Sequence, residues 1–166
     1  MSVVREGPTP LLVPRWQRWL WRAWTPLVWI VPLLLLALRY VMPGVGWETI
    51  ALILYGPIWY PLLAGAAWAP RIIWRARAGK LRQPPRALAA CILLHWGGLL
   101  LAVLTGRGVG DLELFDSMLG RLLPFLGPVA QDVTLYAALA LAAVGLLGAW
   151  AIVVSARPIP APAVAA

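Results

Sequence analysis

His95 is the residue in this sequence whose type and position point most directly to chemistry. It is the only histidine of 166 residues, and it lies near the middle of an apolar run, residues 87–105. A polar group at that depth in a bilayer is costly and needs a partner or a function. Tyr60 lies at about the same depth in another apolar run, residues 49–68. We therefore expect the two side chains to meet or to share a partner.

Such a polar pair would suit a proton relay, a contact to a quinone headgroup or one axial haem ligand. A relay needs further ionisable groups in the span centres, and the sequence has none there. One histidine cannot supply two haem ligands, and Met42 and Met118 fall at predicted membrane edges. The favoured interpretation is a structural hydrogen bond between helices, with no cofactor.

Enzymatic and metal chemistry find little support in the residue types. The single cysteine, Cys91, cannot form an internal disulfide, and no second histidine, cysteine or carboxylate lies at metal-ligand spacing from His95. No nucleophile-elbow, zinc-protease or phosphate-binding glycine motif occurs. We therefore predict a non-enzymatic protein with no catalytic residues and no bound metal.

The elements that position these residues follow from composition. Hydrophobic residues make up 62% of the chain and charged residues 12%, against about 25% charged in a soluble domain. The apolar residues form four runs, each long enough to cross a hydrocarbon layer of about 30 Å as a helix. We predict an all-α, polytopic membrane protein, a four-transmembrane-helix bundle over residues 25–154 with spans at residues 25–42, 49–68, 87–105 and 133–154.

The segments before and between the apolar runs predict further structural features. Residues 1–24 predict a cytoplasmic lead and a basic, tryptophan-rich interfacial helix, followed by a helix start at Thr25-Pro26. Pro70 allows either the end of the second span or a helix that continues to Arg77. Helical spacing over residues 111–128 predicts a second, acidic interfacial helix.

Two predictions concern the carboxyl-terminal part of the chain. Asp132 is expected to cap the fourth span, because an aspartate side chain accepts hydrogen bonds from the first free amides of a helix. Residues 155–166 form a Pro/Ala-rich tail that has no means of packing.

The basic residues predict the orientation. Of the fourteen, only Arg39, Arg107 and Arg121 fall on the side opposite the amino-terminal lead and the middle loop. Cytoplasmic loops are enriched in arginine and lysine, so both termini are expected in the cytoplasm. A bias toward alanine, arginine, glycine and proline indicates a bacterial inner membrane protein. The net charge of +8 is spread beside apolar runs, so we expect no contact to nucleic acid. We expect the basic residues of the lead and the middle loop to contact anionic lipids or a protein partner. These residues are Arg15, Arg18, Arg22, Arg71, Arg75, Arg77, Lys80, Arg82 and Arg86.

Small residues mark two helix faces. Such residues let helix backbones approach closely in a membrane. The spacing favours close packing either within the chain or between two copies, and leaves both open. The face of the third run contains Cys91, Gly98 and Ala102, and that of the fourth contains Ala138, Ala142, Gly145 and Ala149.

Three features of the sequence are shared with a known kind of protein. They are the arginine- and tryptophan-rich start, the arginine-rich middle loop and the sequence Leu94-His95-Trp96-Gly97-Gly98. Over about residues 15–105 the chain resembles small, uncharacterised four-span bacterial membrane proteins sometimes labelled permeases. The resemblance implies the four-span fold and assigns no catalytic residue.

Three functions remain as hypotheses. The first is a membrane subunit or accessory protein that acts by helix packing with another membrane protein or as a homo-oligomer. The second is a small oligomeric transporter or channel. The third is a subunit of a redox complex that contacts quinone or haem.

Overall fold

The computed structural model describes residues 14–41, 47–78, 85–109, 114–115 and 117–156. Over these ranges the protein is helical apart from one pair of two-residue strands, which confirms the all-α class. Most of the predicted lead and tail lie outside the described residues. The elements in chain order are α1 Arg15–Val41, α2 Trp47–Ala78, α3 Arg86–Thr105, β1 Gly108–Val109, β2 Leu114–Phe115, α4 Met118–Leu122 and α5 Pro128–Ser155.

Three of the described helices, α1, α3 and α5, are long and apolar enough to cross a membrane. They contain the predicted spans at residues 25–42, 87–105 and 133–154, except for Met42, which lies outside the described residues. A helix of 20 residues is about 30 Å long, which matches the hydrocarbon thickness. The run at residues 49–68 lies within α2, and its crossing of the membrane stays a prediction.

α1 passes without interruption from the tryptophan-rich segment into the first apolar run. The predicted helix start at Thr25-Pro26 is wrong, because both residues lie inside α1. Pro26 removes one intrahelical hydrogen-bond donor, but buried residues on both sides of it stabilise the helix. Trp24 and Val28 are buried, and the Trp24 indole donates a hydrogen bond to the carbonyl oxygen of Ala67 at 3.1 Å. The basic segment of residues 15–24 is therefore the first part of α1 and not a separate helix.

α2 continues through Pro70 because a neighbouring helix supplies the hydrogen bond that the proline removes. Proline has no N–H, so the carbonyl of Ala66, four residues earlier, has no intrahelical donor. The indole Nε1 of Trp150 on α5 donates to that oxygen at 3.0 Å. Of the two outcomes the sequence allowed, continuation past Arg77 is the one found.

The four long helices alternate in direction along the chain, and they form a ring in which α1 and α5 each contact both α2 and α3. Arg71 near the end of α2 donates to Thr25 near the beginning of α1, and Arg77 donates to the carbonyl of Val153 near the end of α5. α3 runs antiparallel to α5. The beginnings of α1 and α3 and the ends of α2 and α5 therefore lie together at one end of the bundle, which we call the basic end.

The closest helix contact lies between α3 and α5 and is made by glycines. A Cβ on Gly98 would lie 2.6 Å from the nitrogen of Ala142 and 2.7 Å from the oxygen of Ala138. A Cβ on Gly145 would lie 2.6 Å from the oxygen of Cys91. The two predicted small-residue faces thus pack against each other inside one chain. Other buried members of these faces are Ala102 and Ala149.

The connection between α3 and α5 differs from the long helix predicted for residues 111–128. β1 pairs antiparallel with β2, with Gly108 opposite Phe115. Only the five residues of α4 are helical. The interfacial helix is therefore wrong for the described part of this connection. The acidic residues that shaped the prediction, Asp111, Glu113 and Asp116, lie outside the described residues.

Gln131 joins this connection to the beginning of α5. Its side-chain oxygen accepts hydrogen bonds from the backbone N–H and the hydroxyl of Ser117, at 3.2 and 2.8 Å. The hydrogen bonds between Gln131 and Ser117 could not be predicted from the spacing of apolar residues along a helix.

The predicted cap at Asp132 is wrong, because α5 begins at Pro128, a residue favoured in the first helical turn.

Candidate functional site

A cavity of about 470 Å³ lies between α1, α2, α3 and α5. Its wall is apolar except for His95 toward one end and Arg39 and Arg107 at the other. On α3 the lining extends from His95 to the end of the helix, a rise of roughly 15 Å. The volume falls within the range of about 300 to 1,000 Å³ found for small-molecule sites. The apolar lining includes Val28, Leu35, Leu63, Leu99, Val103 and Leu139.

His95 lines the cavity and uses one ring nitrogen for a hydrogen bond within the fold. The residue is only 4% exposed, and its Nδ1 lies 2.8 Å from the carbonyl oxygen of Ala142 on α5. A carbonyl only accepts, so Nδ1 carries the proton and donates it. In the neutral ring Nε2 is then an acceptor. It has no hydrogen-bond partner among the described residues, and His95 lines the cavity, so a hydroxyl of a bound molecule would satisfy it.

The predicted pairing of His95 with Tyr60 is wrong. The Tyr60 hydroxyl donates to the carbonyl oxygen of Trp29 on α1 at 2.8 Å, whereas His95 bonds to α5. Equal predicted depth does not fix the direction in which a side chain points around its helix. The hydrogen bond between helices that was favoured for His95 does exist, with a backbone carbonyl as its acceptor.

Two arginines line the end of the cavity away from His95. Arg39 is buried, and its Nη1 donates to the carbonyl oxygen of Gly106 at 3.1 Å. Arg107 is 14% exposed and forms an ion pair of 3.6 Å with Asp132. Sequence reasoning treated both arginines only as charges on the outer side. The signal for Arg39 was a cation at the end of an apolar run, which must find an acceptor.

Arg77 has a structural role that its spacing did not predict. Its Nη1 donates to the carbonyl oxygens of Val153, Val154 and Ala156 at 2.8, 2.6 and 3.2 Å. The last carbonyls of a helix have no intrahelical donor, and a basic side chain near the carboxyl terminus can satisfy them. Arg77 therefore caps α5 and connects it to the end of α2.

The other predicted lipid-contact residues fall into three groups. Arg71 is buried against α1, with its guanidinium over the ring of Trp21. Lys80 and Arg82 lie outside the described residues. The exposed members are Arg15, Arg18, Arg22, Arg75 and Arg86.

Cys91 is half-buried at the contact between α3 and α5, with a free thiol. Among the described residues, no three histidine, cysteine or acidic side chains lie close enough together to hold a metal ion.

No family model, no curated protein and no solved structure matches the chain. Its function is therefore inferred from the cavity and from its own residues.

Proposed function

We propose that this chain is a non-enzymatic, four-span protein of the bacterial inner membrane that binds an apolar, hydroxyl-bearing molecule in the cavity. The observation that supports this best is the acceptor Nε2 of His95 in a wall that is apolar apart from His95 itself and the two arginines at the far end. The wall suits the hydrocarbon part of such a molecule, and the histidine would orient its hydroxyl. The protein would act as an accessory subunit that holds this ligand for another membrane protein or for a second copy of itself.

Four spans with both termini in the cytoplasm fit the alternating helix directions. Both the beginning of α1 and the end of α5 lie at the basic end, where Arg15, Arg71 and Arg86 also lie. Cytoplasmic ends of membrane helices carry most of the arginine and lysine. α2 has 32 residues and runs between the two ends of the bundle, which supports its membrane crossing.

Cysteine labelling tests this orientation. In a Cys91→Ala background, we expect a membrane-impermeant maleimide to label Val45→Cys in intact spheroplasts and to label Lys80→Cys only after the membrane is opened. The two sites lie in the predicted outer and cytoplasmic connections, so each serves as the control for the other. Labelling of Lys80→Cys in intact spheroplasts would overturn the proposed orientation.

A contact with a partner would use surfaces other than the small-residue faces. Gly98 and Gly145 are occupied within the chain by the contact between α3 and α5. The faces that the sequence offered for homodimer formation are therefore unavailable without opening the bundle. The side of α2 that carries Ile58, Trp59 and Leu62 is exposed.

Filling the cavity tests the binding function. Leu99 lines the cavity, so Leu99→Trp should displace the ligand. Leu94→Trp is the matched control, because Leu94 is exposed on the same helix and does not line the cavity. Each protein is purified in mild detergent, and apolar compounds are extracted and identified by mass spectrometry. We expect one compound with a hydroxyl group to be retained by the wild type and by Leu94→Trp and to fall to background in Leu99→Trp. Equal retention by both variants would refute the proposal.

A small oligomeric transporter is the second candidate, and the position of Arg39 and Arg107 at one end of the cavity favours it. An arginine has five N–H donors, so Arg107, which also pairs with Asp132, would still donate hydrogen bonds to a solute. If the purified oligomer carried a solute into liposomes, that flux would support a transporter over an accessory subunit that holds a ligand. Visible absorbance in the same purified sample would instead support contact with haem or another chromophore.

A further inference from the structure

A buried arginine lies beside a second arginine at the basic end. Arg71 is only 6% exposed, and its Nη1 donates to the hydroxyl of Thr25. Its guanidinium carbon lies 5.0 Å from the centre of the Trp21 ring. Arg75, about one turn further along α2, has its guanidinium carbon 5.8 Å from the same ring. Two positive charges therefore share one aromatic surface.

No carboxylate neutralises these charges within the part of the chain that the structure describes. Asp132 pairs with Arg107 at the opposite end of the bundle. Glu48 lies in the first turn of α2, and the helix rise from there to Arg71 is roughly 35 Å. Stacking on an aromatic ring offsets part of the unfavourable burial of a cation, but a like charge beside it adds repulsion. A bound anion would neutralise both arginines.

The donors needed for an anion are present and unused. Nη2 of Arg71 has no partner among the described residues and is not sealed from the surface, whereas its Nε is buried without a partner. The planar fork of a guanidinium group matches two oxygens of a phosphate.

We propose that Arg71 and Arg75 form a binding site for the phosphate group of an anionic phospholipid. The site lies beside a tryptophan ring at the end of the bundle, the level at which indoles and arginines meet lipid headgroups. Ile72, which is exposed between the two arginines in sequence, adds apolar surface for an acyl chain. This site is separate from the cavity, so either proposal can fail without the other.

A lipid titration tests this site. Full-length protein in detergent is titrated with phosphatidylglycerol, phosphatidylcholine or inorganic phosphate, and bound lipid is followed by native mass spectrometry. We expect one phosphatidylglycerol to be retained in preference to phosphatidylcholine. Arg75→Gln should weaken it about tenfold, the factor expected from losing one charge-assisted hydrogen bond. Arg86→Gln, which removes an exposed arginine at the same end, should change the affinity by less than about threefold.

Arg71→Met provides a second readout in the same detergent. It removes the buried charge, so the lipid-free variant should unfold at a temperature equal to or above that of the wild type. The rise in unfolding temperature that phosphatidylglycerol causes in the wild type should be absent. Equal affinity for the two lipids, or unchanged affinity in Arg75→Gln, would refute the site. Equal stabilisation by inorganic phosphate alone would overturn the lipid assignment in favour of a soluble phosphate compound.

Discussion

Gly98→Ala should destabilise the protein by about 3 kcal/mol, although it adds a single methyl group. The new Cβ would lie 2.6 Å from the nitrogen of Ala142 and 2.7 Å from the oxygen of Ala138. Both are backbone atoms of α5, so no side-chain rotation relieves the overlap and the two helices must separate. Reversible unfolding in mixed micelles of mild detergent and dodecyl sulfate measures the change in free energy.

Gly97→Ala is the matched control, because it makes the same substitution one residue away. Nothing lies within 4 Å of a Cβ at Gly97. Alanine is favoured over glycine inside a helix by about 0.5–1 kcal/mol, so the free energy of unfolding should stay the same or rise. Gly145→Ala should behave like Gly98→Ala, since its Cβ would lie 2.6 Å from the nitrogen of His95. Equal effects of Gly97→Ala and Gly98→Ala would contradict the described packing of α3 on α5.

The same helix contact governs the chemistry of the cavity. The carbonyl of Ala142 accepts the proton of His95 Nδ1, and the nitrogen of Ala142 lies against Gly98. Close packing of the two backbones therefore fixes the tautomer that leaves Nε2 as an acceptor. Separation of α3 from α5 would release the imidazole to donate from either nitrogen. The glycines thus contribute to the proposed ligand specificity as well as to stability.

The presence of the helices could be predicted from the sequence more reliably than their ends. Long apolar runs predict helices wherever a bilayer or a bundle surrounds them. The capping and proline signals in the sequence predicted the wrong helix ends, because hydrogen bonds from residues distant in the sequence determine where these helices begin and end. Trp150 supplies the donor that lets α2 pass Pro70, and Gln131 binds Ser117 across the connection before α5. A proline in the sequence shows that a donor is lost, but not that another helix replaces it.

The candidate site was predictable only in part. The position of His95 inside an apolar run indicated a buried polar side chain that needs a partner, which is what the structure has. The identity of the partner was not predictable, since every helix carries backbone carbonyls and Ala142 gives no signal as an acceptor. The cavity itself depends on how four helices diverge around Leu35, Leu99 and Leu139. Residue spacing along a single helix contains no such information.

Trp24→Ala should lower the free energy of unfolding by about 3–5 kcal/mol, the range for removing a fully buried aromatic side chain. Trp24 has no exposed surface, and its indole donates to the oxygen of Ala67 at 3.1 Å. Its ring also meets that of Trp21 edge to face, with 5.4 Å between the centres. The substitution therefore opens a cavity between α1 and α2 and removes one hydrogen bond between them. The same micelle unfolding assay gives the change.

Trp19→Ala is the control for Trp24→Ala, because Trp19 is 63% exposed on the same helix. Its effect should stay within about 0.5 kcal/mol, as for other exposed positions. Trp24→Phe should fall between the two, since it keeps one aromatic ring but loses the N–H donor, worth about 0.6–2 kcal/mol in a membrane protein, and leaves a smaller cavity than alanine does. A tryptophan that lay at the membrane surface on a separate helix would give Trp24→Ala and Trp19→Ala the same small effect. A large effect confined to Trp24 would establish that the basic, tryptophan-rich segment is packed into the bundle as the first part of α1.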